Sequence, residues 1–283
     1  MLRVSCPAVA RKSIPKSDAV VTAAADTRRA LPRAGAAASP LLDGQQASRF
    51  RRSLLRWFAR HGRDLPWRRT RDAYRVVVSE FMLQQTQVAR VEGYYARFLE
   101  QFPDVQSLAL AEPARVREAW QGLGYYRRAV NLQRLAQVVV QDHDGRLPRE
   151  IGALRLLPGV GRYTAGAVAS FAYEQSVAAV DTNVARVLRR AFRPDRPASP
   201  ADQVLWHAGA ALVPTEPAGA WAFNQAIMEL GAVLCTARRA DCPRCPVQRA
   251  CLVGQIAGAG TALRGEQLAD AERAAVQLVT PAL

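Results

Sequence analysis

Residues 157–166 read Leu-Pro-Gly-Val-Gly-Arg-Tyr-Thr-Ala-Gly, and this stretch decides the fold of the chain. It joins two short amphipathic stretches, residues 151–157 and 163–171. Gly159 and Gly161 permit a tight hairpin whose backbone N–H groups point outward beside a helix N-terminus, an arrangement suited to phosphate. An ordinary turn between helices needs only one glycine. The pattern therefore predicts a helix-hairpin-helix, an element that grips the DNA backbone without reading its sequence.

Helical patterning extends to both sides of this hairpin. From Ser48 to about Gln255, apolar residues recur at spacings of three and four, and prolines separate the stretches. We expect an all-α domain over residues 49–255, with about ten helices and no substantial sheet. Residues 1–48 contain no aromatic residue, so they are expected to form a disordered basic tail, with an organellar presequence as the alternative. Residues 256–283 are weakly patterned and too few for another domain.

The charge of the chain points to a polyanionic partner. The formal net charge is +15, from 39 Lys and Arg against 24 Asp and Glu, and lysine occurs only as Lys12 and Lys16. Phosphate contact by such a chain releases counterions, which favours nucleic acid. An anionic membrane surface is the competing interpretation, but no apolar run approaches the roughly 20 residues of a spanning helix, and no secretion signal is evident. We expect an intracellular (cytoplasmic, nucleoid-associated) protein that binds DNA and no membrane.

One carboxylate, Glu80, falls on the apolar face of a helix expected within residues 71–86. Ionisation is penalised among apolar neighbours, so its pKa should rise and Glu80 is a candidate general acid. The alternative is a glutamate that reaches solvent or pairs with an arginine. Gln84 and Gln85 follow within one turn, and their amides are suited to bonding base edges or filling a gap in the base stack.

A second carboxylate, Asp181, ends the apolar run 177–180 and precedes an amphipathic helix. The simple interpretation is a helix N-cap. Asp181, Thr182 and Asn183 nevertheless supply three capping side chains where one suffices, which leaves at least one for another role. Capping and catalysis both remain open for Asp181 at this point.

The most specific local pattern is a group of cysteines spaced C-x6-C-x2-C-x5-C: Cys235, Cys242, Cys245 and Cys251. Four thiolates suit either a tetrahedral zinc ion or a 4Fe-4S cluster, so the number of ligands does not decide between them. The arginines interleaved with the ligands predict a second phosphate-binding surface, formed by Arg238, Arg239, Arg244 and Arg249. The fifth cysteine, Cys6, lies in the expected tail and is not a candidate ligand.

Five motifs in a fixed order resemble one known family. They are Ser79-Glu80-Phe81-Met82-Leu83-Gln84-Gln85-Thr86-Gln87, Gly122-Leu123-Gly124-Tyr125-Tyr126, the hairpin, Val180-Asp181-Thr182-Asn183-Val184 and the cysteine spacing. Together they resemble the endonuclease III superfamily of helix-hairpin-helix DNA glycosylases and, within it, the MutY-type adenine DNA glycosylases, over roughly residues 48–255. The resemblance implies a 4Fe-4S cofactor on the four cysteines.

The resemblance also implies a role for each site residue. Glu80 would protonate the flipped adenine at N7 and then help to activate water. Asp181 would stabilise an oxocarbenium-like sugar or bond transiently to C1′, a division of labour that parallels glycoside hydrolysis. Tyr163 and Asn183 resemble the polar groups that support this pair.

Other positions would act on the DNA. Gln85 and Tyr125 resemble residues inserted into the duplex once the base has flipped out. Arg63, Leu65 and Arg68 resemble the residues of the adenine pocket, although simple packing of Trp67 would also explain the Leu65-Pro66-Trp67 run.

The sequence departs from the family pattern at two points. Thr182 stands where the family usually has glycine, which changes the backbone freedom beside Asp181. The residues after Cys251 are too few for the Nudix-like domain that reads 8-oxoguanine on the opposite strand, so recognition of the opposite base is the least supported expectation.

We expect a monomeric, monofunctional glycosylase that removes adenine opposite guanine or 8-oxoguanine from duplex DNA. The first alternative is a thymine or uracil glycosylase acting opposite guanine. A lyase of the endonuclease III type is disfavoured, because Tyr163 stands where that branch has its Schiff-base lysine. From a different class, a non-catalytic iron-sulfur DNA-binding protein is disfavoured by the presence of both Glu80 and Asp181.

Overall fold

The computed structural model describes residues 42–258 and 260–279. Most of the expected tail 1–48, with Cys6, Lys12 and Lys16, lies outside the described residues. The α-helices are α1 (Gly44–His61), α2 (Ala73–Leu83), α3 (Val88–Gln101), α4 (Val105–Leu110), α5 (Pro113–Ala119), α6 (Arg127–Asp142), α7 (Ile151–Leu154), α8 (Arg162–Phe171), α9 (Thr182–Phe192), α10 (Gln203–Leu212), α11 (Pro217–Val233), α12 (Leu252–Ala257) and α13 (Gly265–Val276). Strands β1 (Arg239–Ala240) and β2 (Leu263–Arg264) form an antiparallel pair, and 3-10 turns cover Pro66–Arg68, Cys242–Arg244 and Gln248–Ala250.

The all-α prediction is confirmed, with more helices in the described part than the ten or so expected. The additional elements include α4 and α5, which are six and seven residues long and too short to show a clear period. No helix within residues 42–258 or 260–279 is both long enough and apolar enough to span a membrane.

Aspartate side chains fix the starting points of five helices. Each accepts hydrogen bonds from backbone N–H groups in the first turn, and each such cap contributes about 1 kcal/mol. The capping residues are Asp43, Asp72, Asp104, Asp181 and Asp202. The capping interpretation of Asp181 is therefore correct as far as local structure is concerned.

The helices enclose two hydrophobic cores. The first extends from Leu65 to Ala179 and contains the fully buried side chain of Trp120. The second joins α1 to α9, α10 and α11 and contains Phe50, whose ring lies 5.0 Å from that of Phe192. Helix α8 contacts both α2 and α11, so the two cores meet along α8.

The helix-hairpin-helix is present as α7, a turn and α8. Gly159 has φ +77°, and a Cβ there would lie 2.9 Å from the Phe81 ring. A residue with a side chain is therefore excluded at this position. Gly161 is the N-cap of α8 and makes no side-chain capping bond, so the first N–H groups of α8 are available to a phosphate.

A buried amide fixes the segment that leads to Asp181. Asn224 donates from Nδ2 to Ser170 Oγ (2.9 Å) and to the carbonyl of Val177 (2.8 Å), and its Oδ1 accepts from Ala179 N (3.2 Å). Satisfied buried networks of this kind hold the backbone rigidly. Helix α11 thereby sets the position from which α9 starts.

The folded part exceeds the expected limits 49–255 at both ends. Helix α1 begins at Gly44, and the expected weakly patterned tail contains β2 and α13. Helix α13 buries Leu268, Ala271 and Ala275. Two of these are alanines, which give a weak hydrophobic pattern, and this is why the segment was not predicted from periodicity.

Candidate active site

A cleft between the two cores collects most of the residues expected to form the site. It is lined by Arg63, Leu65, Arg68, Glu80, Gln85, Tyr163, Asp181 and Asn183. Three expected residues lie outside it: Tyr125, Gly159 and Gly161. The two candidate carboxylates therefore share one opening, whereas the expected phosphate contacts of the hairpin lie elsewhere on the surface.

Glu80 is buried in this cleft, 5 % exposed, and is paired with a tyrosine. The hydroxyl of Tyr163 donates to Glu80 Oε2 at 2.8 Å. Burial raises the pKa of Glu80 to about 7 and nearby Asp181 adds to the effect, while the Tyr163 hydrogen bond opposes it. A carboxyl group with this pKa donates and accepts protons near neutral pH. No arginine among the described residues forms an ion pair with Glu80, so the surface-pairing alternative does not hold.

Asp181 is both a helix cap and a residue of the cleft. Its Oδ1 accepts from the backbone N–H of Val184 (2.7 Å), and its Oδ2 accepts from Asn183 Nδ2 (2.9 Å). Burial raises the pKa of Asp181 above its ordinary value, although both hydrogen bonds oppose the shift. Thr182 is the first residue of α9 and does not have a positive φ, so its side chain is compatible with this backbone.

Asn183 connects this carboxylate to the cysteine loop through Arg186. Its Oδ1 accepts from Arg186 Nη2 at 2.8 Å. The same guanidinium donates from Nη2 to the carbonyl of Gly231 and from Nε to the carbonyl of Cys235, both at 2.8 Å. The sequence analysis did not identify Arg186. It lies three residues after Asn183 on α9, and this spacing, which makes two helical residues neighbours, could have indicated the contact.

The two arginines expected in the base pocket are held by a buried acid that sequence reasoning also missed. Glu229, 1 % exposed, accepts from Arg63 Nε (2.6 Å) and from Arg68 Nη2 (2.8 Å). Arg68 Nε also donates to Gln225 Oε1 (2.7 Å). Burial alone would raise the pKa of Glu229, but the hydrogen bonds from both arginines bring it below its usual value. The carboxylate is thus ionised and fixes both guanidinium groups at the wall of the cleft.

Leu65 and Trp67 also line the cleft while belonging to the first core. Leu65 is 4 % exposed, and the Trp67 ring packs edge-on against Tyr95 at 5.6 Å. The packing interpretation of this short run therefore holds, and it coexists with a place in the wall of the cleft.

Gln85 and Tyr125 occupy two exposed turns of unusual backbone conformation. Their φ angles are +57° and +46°, a region that residues with side chains seldom adopt, and such strain often accompanies function. One buried arginine, Arg128, ties the two turns together. Its guanidinium donates to the carbonyls of Phe81, Met82, Gln84, Leu123 and Gly124 and to Thr86 Oγ1.

The four cysteines expected to bind a metal lie around one cavity, which is otherwise lined mainly by apolar side chains. Arg190 donates from Nη1 to Cys235 Sγ at 3.3 Å. Among the described residues, no three His, Cys, Asp or Glu side chains are arranged to hold a single metal ion.

The arginines of the cysteine loop divide into two pairs. Arg239 forms an ion pair with Asp241 at 2.8 Å, and Arg244 lies 3.7 Å from the same carboxylate. Arg238 and Arg249 form no ion pair within the described part of the chain, so their charges are available to an external anion.

Comparison with known proteins places this architecture in a family. Residues 78–207 match the model of the HhH-GPD superfamily of base excision DNA repair proteins, and this span contains Glu80, Tyr163 and Asp181. The chain belongs to this superfamily. Among solved structures it is similar to a thermostable thymine-DNA glycosylase, with a TM-score of 0.68 and 30 % identity over 73 % of this chain and 95 % of that one.

Two curated relatives are adenine DNA glycosylases. The one from Rattus norvegicus is 48 % identical over 222 residues, covering 75 % of this chain and 43 % of the relative. The one from Mycolicibacterium smegmatis is 48 % identical over 197 residues, covering 69 % of this chain and 66 % of the relative. The chain therefore spans less than half the length of the rat protein and about two thirds of the bacterial one.

Proposed function

We propose that the chain is an adenine DNA glycosylase, which hydrolyses the N-glycosidic bond of adenine mispaired with guanine or 8-oxoguanine in duplex DNA. The observation that carries the proposal is the buried Glu80–Tyr163 pair, which shares a cleft with Asp181. The substrate class is supported by relatives that are adenine DNA glycosylases at 48 % identity.

Two carboxylates divide the chemistry. Protonated Glu80 gives its proton to N7 of the flipped adenine, the C1′–N9 bond breaks, and the bonding electron pair leaves with the base. The carboxylate of Asp181 stabilises the positive charge on the sugar. Water then adds to C1′ and returns a proton to Glu80, which restores the enzyme. Tyr163 keeps the Glu80 carboxyl in place, and Asn183 does the same for Asp181.

The DNA would be held at three places. The free N–H groups at the start of α8 bind backbone phosphate. The exposed turns of Gln85 and Tyr125 enter the base stack, and Arg128 keeps them at a fixed separation. The Arg63–Glu229–Arg68 network lines the pocket for the extruded base. A single copy of the chain supplies all three elements.

A 4Fe-4S cluster fits the cysteine cavity better than zinc does. A zinc ion needs its sulfur ligands within about 2.3 Å of one point, whereas a four-iron cluster takes one thiolate per iron and so joins sulfurs that lie further apart. Burial raises the pKa of Cys242 to about 11, so its thiolate form would depend on a bound cation for stabilisation. Cys235, Cys242, Cys245 and Cys251 would hold the cluster, whose role here is to fix the loop structure.

Iron analysis tests this assignment. Protein purified aerobically should be straw-brown, with about four irons per chain and broad absorption near the boundary between violet and blue light. Replacing one ligand, as in Cys242→Ser, should lower the iron content and loosen the loop, whereas Cys6→Ser should change neither. Fully active protein that contains zinc and no iron would contradict the assignment.

The test of the function is single-turnover excision on duplexes that contain A:8-oxoguanine, A:G, T:G, U:G or an oxidised pyrimidine. We expect removal of adenine from the first two and no strand cleavage at the resulting abasic site. Removal of thymine or uracil without adenine would establish the first alternative instead. Tight binding to all duplexes with no excision would establish a non-catalytic DNA-binding protein.

The pH dependence of excision should move in a known direction when Tyr163 is changed. Glu80 acts in its protonated form, so the wild-type rate should fall as the pH rises through about 7. The Tyr163 hydrogen bond lowers the pKa of Glu80, so Tyr163→Phe should shift this falling limb to higher pH. The measurement is the single-turnover rate between pH 5.5 and 9. A limb that stays in place, or moves to lower pH, would show that Tyr163 does not act through Glu80.

Salt dependence should separate the two pairs of loop arginines. Arg238→Ala and Arg249→Ala should each reduce the slope of log K against log salt by about one unit, because each removes a phosphate contact. Arg239→Ala and Arg244→Ala serve as matched controls with smaller changes, because the Asp241 carboxylate lies beside both guanidinium groups and offsets part of their charge. Filter binding at several salt concentrations measures the slope. A changed mismatch preference with an unchanged slope would instead mark the residue as one that reads bases.

A further inference from the structure

Helix α13 packs against the outer side of residues that line the cysteine cavity. Leu268 packs with Ala240 and Cys242. One turn further on, Ala271 and Ala275 pack with Val253, beside Cys251. Strand β2 brings the chain to this position by pairing with β1, which lies between the first two cysteines of the loop.

A single acid on α13 reaches the immediate surroundings of a cysteine sulfur. Glu272 accepts from Arg189 Nη1 at 2.7 Å and from Arg190 Nε at 2.8 Å. Arg190 in turn donates from Nη1 to Cys235 Sγ at 3.3 Å and to the carbonyl of Thr236 at 2.7 Å. The carboxylate of Glu272 is therefore separated from a candidate cluster ligand by one guanidinium group.

The ion pair between Glu272 and Arg190 is less exposed to solvent than the other charged side chains of α13. The side chain of Arg190 is 4 % exposed and that of Glu272 is 19 % exposed, so their interaction is weakly screened. Asp270 and Arg273 form a pair whose side chains are both more than 60 % exposed, and such surface pairs contribute little. Glu266, in the first turn, forms no ion pair within the described residues. Among the acidic residues of α13, Glu272 is thus the one whose charge can act on a cysteine of the cavity.

We propose that α13 is a cap packed over the residues that line the cysteine cavity and that Glu272 is its latch, a positioning residue whose charge reaches Cys235 through Arg190. The inference rests on the cluster assignment made under the proposed function. Hydrogen bonds to ligand sulfurs, nearby charge and solvent access are the features by which a protein sets the potential and lifetime of an iron-sulfur cluster. Arg190 supplies the hydrogen bond to a ligand sulfur, Glu272 supplies the nearby charge, and the packing of α13 limits solvent access.

The test uses the full chain with its cluster and without DNA. Glu272→Gln should lose its visible absorbance under air and a chelator at least fivefold faster than wild type. Its cluster potential should move to a more positive value, because a negative charge beside Arg190 is removed while Thr236 still anchors the guanidinium. Glu266→Gln makes the same charge change on the same helix and should alter neither quantity.

A second variant separates the latch from simple packing. Leu268→Ala loosens the cap but keeps the charge of Glu272, so cluster loss should accelerate while the potential moves less than it does in Glu272→Gln. The proposal is overturned if Glu272→Gln matches Glu266→Gln in the rate of cluster loss, or if its potential equals that of Leu268→Ala. Should Glu272→Gln fail to retain a cluster, Arg189→Gln replaces it. This variant removes one partner of the latch, so its rate of cluster loss should lie above that of Glu266→Gln, and an equal rate overturns the proposal.

The outcome is independent of base excision. Iron content of the wild-type protein is measured first and decides the cluster assignment by itself. Potential and cluster loss then test the latch, while adenine excision on DNA tests the proposed function separately.

Discussion

Glu80→Gln is expected to reduce single-turnover removal of adenine by about a thousandfold or more, with duplex affinity within about twofold of wild type. Glutamine fills the same space and still accepts a hydrogen bond from Tyr163, but it has no proton to give to the leaving base. Glu80 is buried in the cleft and does not belong to the exposed hairpin glycines, so no phosphate contact is lost. The measurements are quenched-flow excision and equilibrium binding to the same A:8-oxoguanine duplex.

Thermal melting supplies the control for this variant. Because burial raises the pKa of Glu80 from 4.5 to about 7, the folded protein binds more protons than the unfolded chain between these values. Its stability therefore falls as the pH rises through that window, and glutamine removes this dependence. Glu80→Gln should melt at least as high as wild type at pH 8, so lost activity cannot be ascribed to unfolding. Near-normal excision by this variant would refute the role given to Glu80.

Asp181→Asn extends the test to the second carboxylate. Asparagine is also a good N-cap, so α9 should still start at residue 182. Excision should nevertheless fall by a comparable factor, because the amide carries no charge to stabilise the sugar cation. A variant that excises normally would leave Asp181 with its capping role alone.

Tyr163→Lys is expected to create a lyase activity, which we expect the wild-type protein to lack. A lyase needs an amine that attacks C1′, forms a Schiff base and displaces the base, after which β-elimination cuts the strand. The Tyr163 side chain reaches Glu80 and Met228 in the cleft, which places an amine at this position close to the proposed sugar site. We expect strand nicking and a borohydride-trapped adduct, with adenine removal retained at a lower rate.

The pH dependence of this new activity follows from its surroundings. Burial and the N-terminal end of α8 lower the pKa of the introduced amine, while Glu80 and Asp181 raise it. Trapping should therefore increase between pH 7 and 9, as the amine loses its proton. Excision without trapping at any pH in this range would mean that residue 163 does not face C1′.

The natural lysines provide a control for the lyase experiment. Lys12 and Lys16 are the only lysines in the sequence, so Lys12→Arg combined with Lys16→Arg removes every native side-chain amine. If this double variant, with Tyr163 intact, nicks abasic DNA and traps efficiently, the monofunctional interpretation fails.

The parts of the site that could be predicted from sequence are those encoded over a few neighbouring residues. The glycines of the hairpin and the position of Glu80 on an apolar helix face are local patterns, because they depend on the helical period and on backbone conformation. Asp181 was ambiguous for the same reason, since a cap and a catalytic carboxylate look alike over three residues. The structure shows the cap and brings the same side chain into the cleft.

The parts that could not be predicted depend on partners far away in the chain. Glu229 meets Arg63 across 166 residues, and Arg128 meets the Gln85 turn across more than 40. Each of these residues alone looks like an ordinary charged position on a helix. Helix α13 was missed for a different reason, because its buried face consists largely of alanine, whose small hydrophobic contribution does not mark a period.

The division into two cores has a consequence for the order in which the chain acquires its structure during synthesis. Residues 65–179 are contiguous and supply the buried residues of the first core, so this core can close while the ribosome is still translating. Helix α1 emerges earlier, but its partners are α9 to α11, and Gln46 bonds to the carbonyls of Ala191 and Ala250. The apolar face of α1 must therefore wait for most of the chain to appear. Although α1 is translated first among the described helices, we expect it to be among the last to dock.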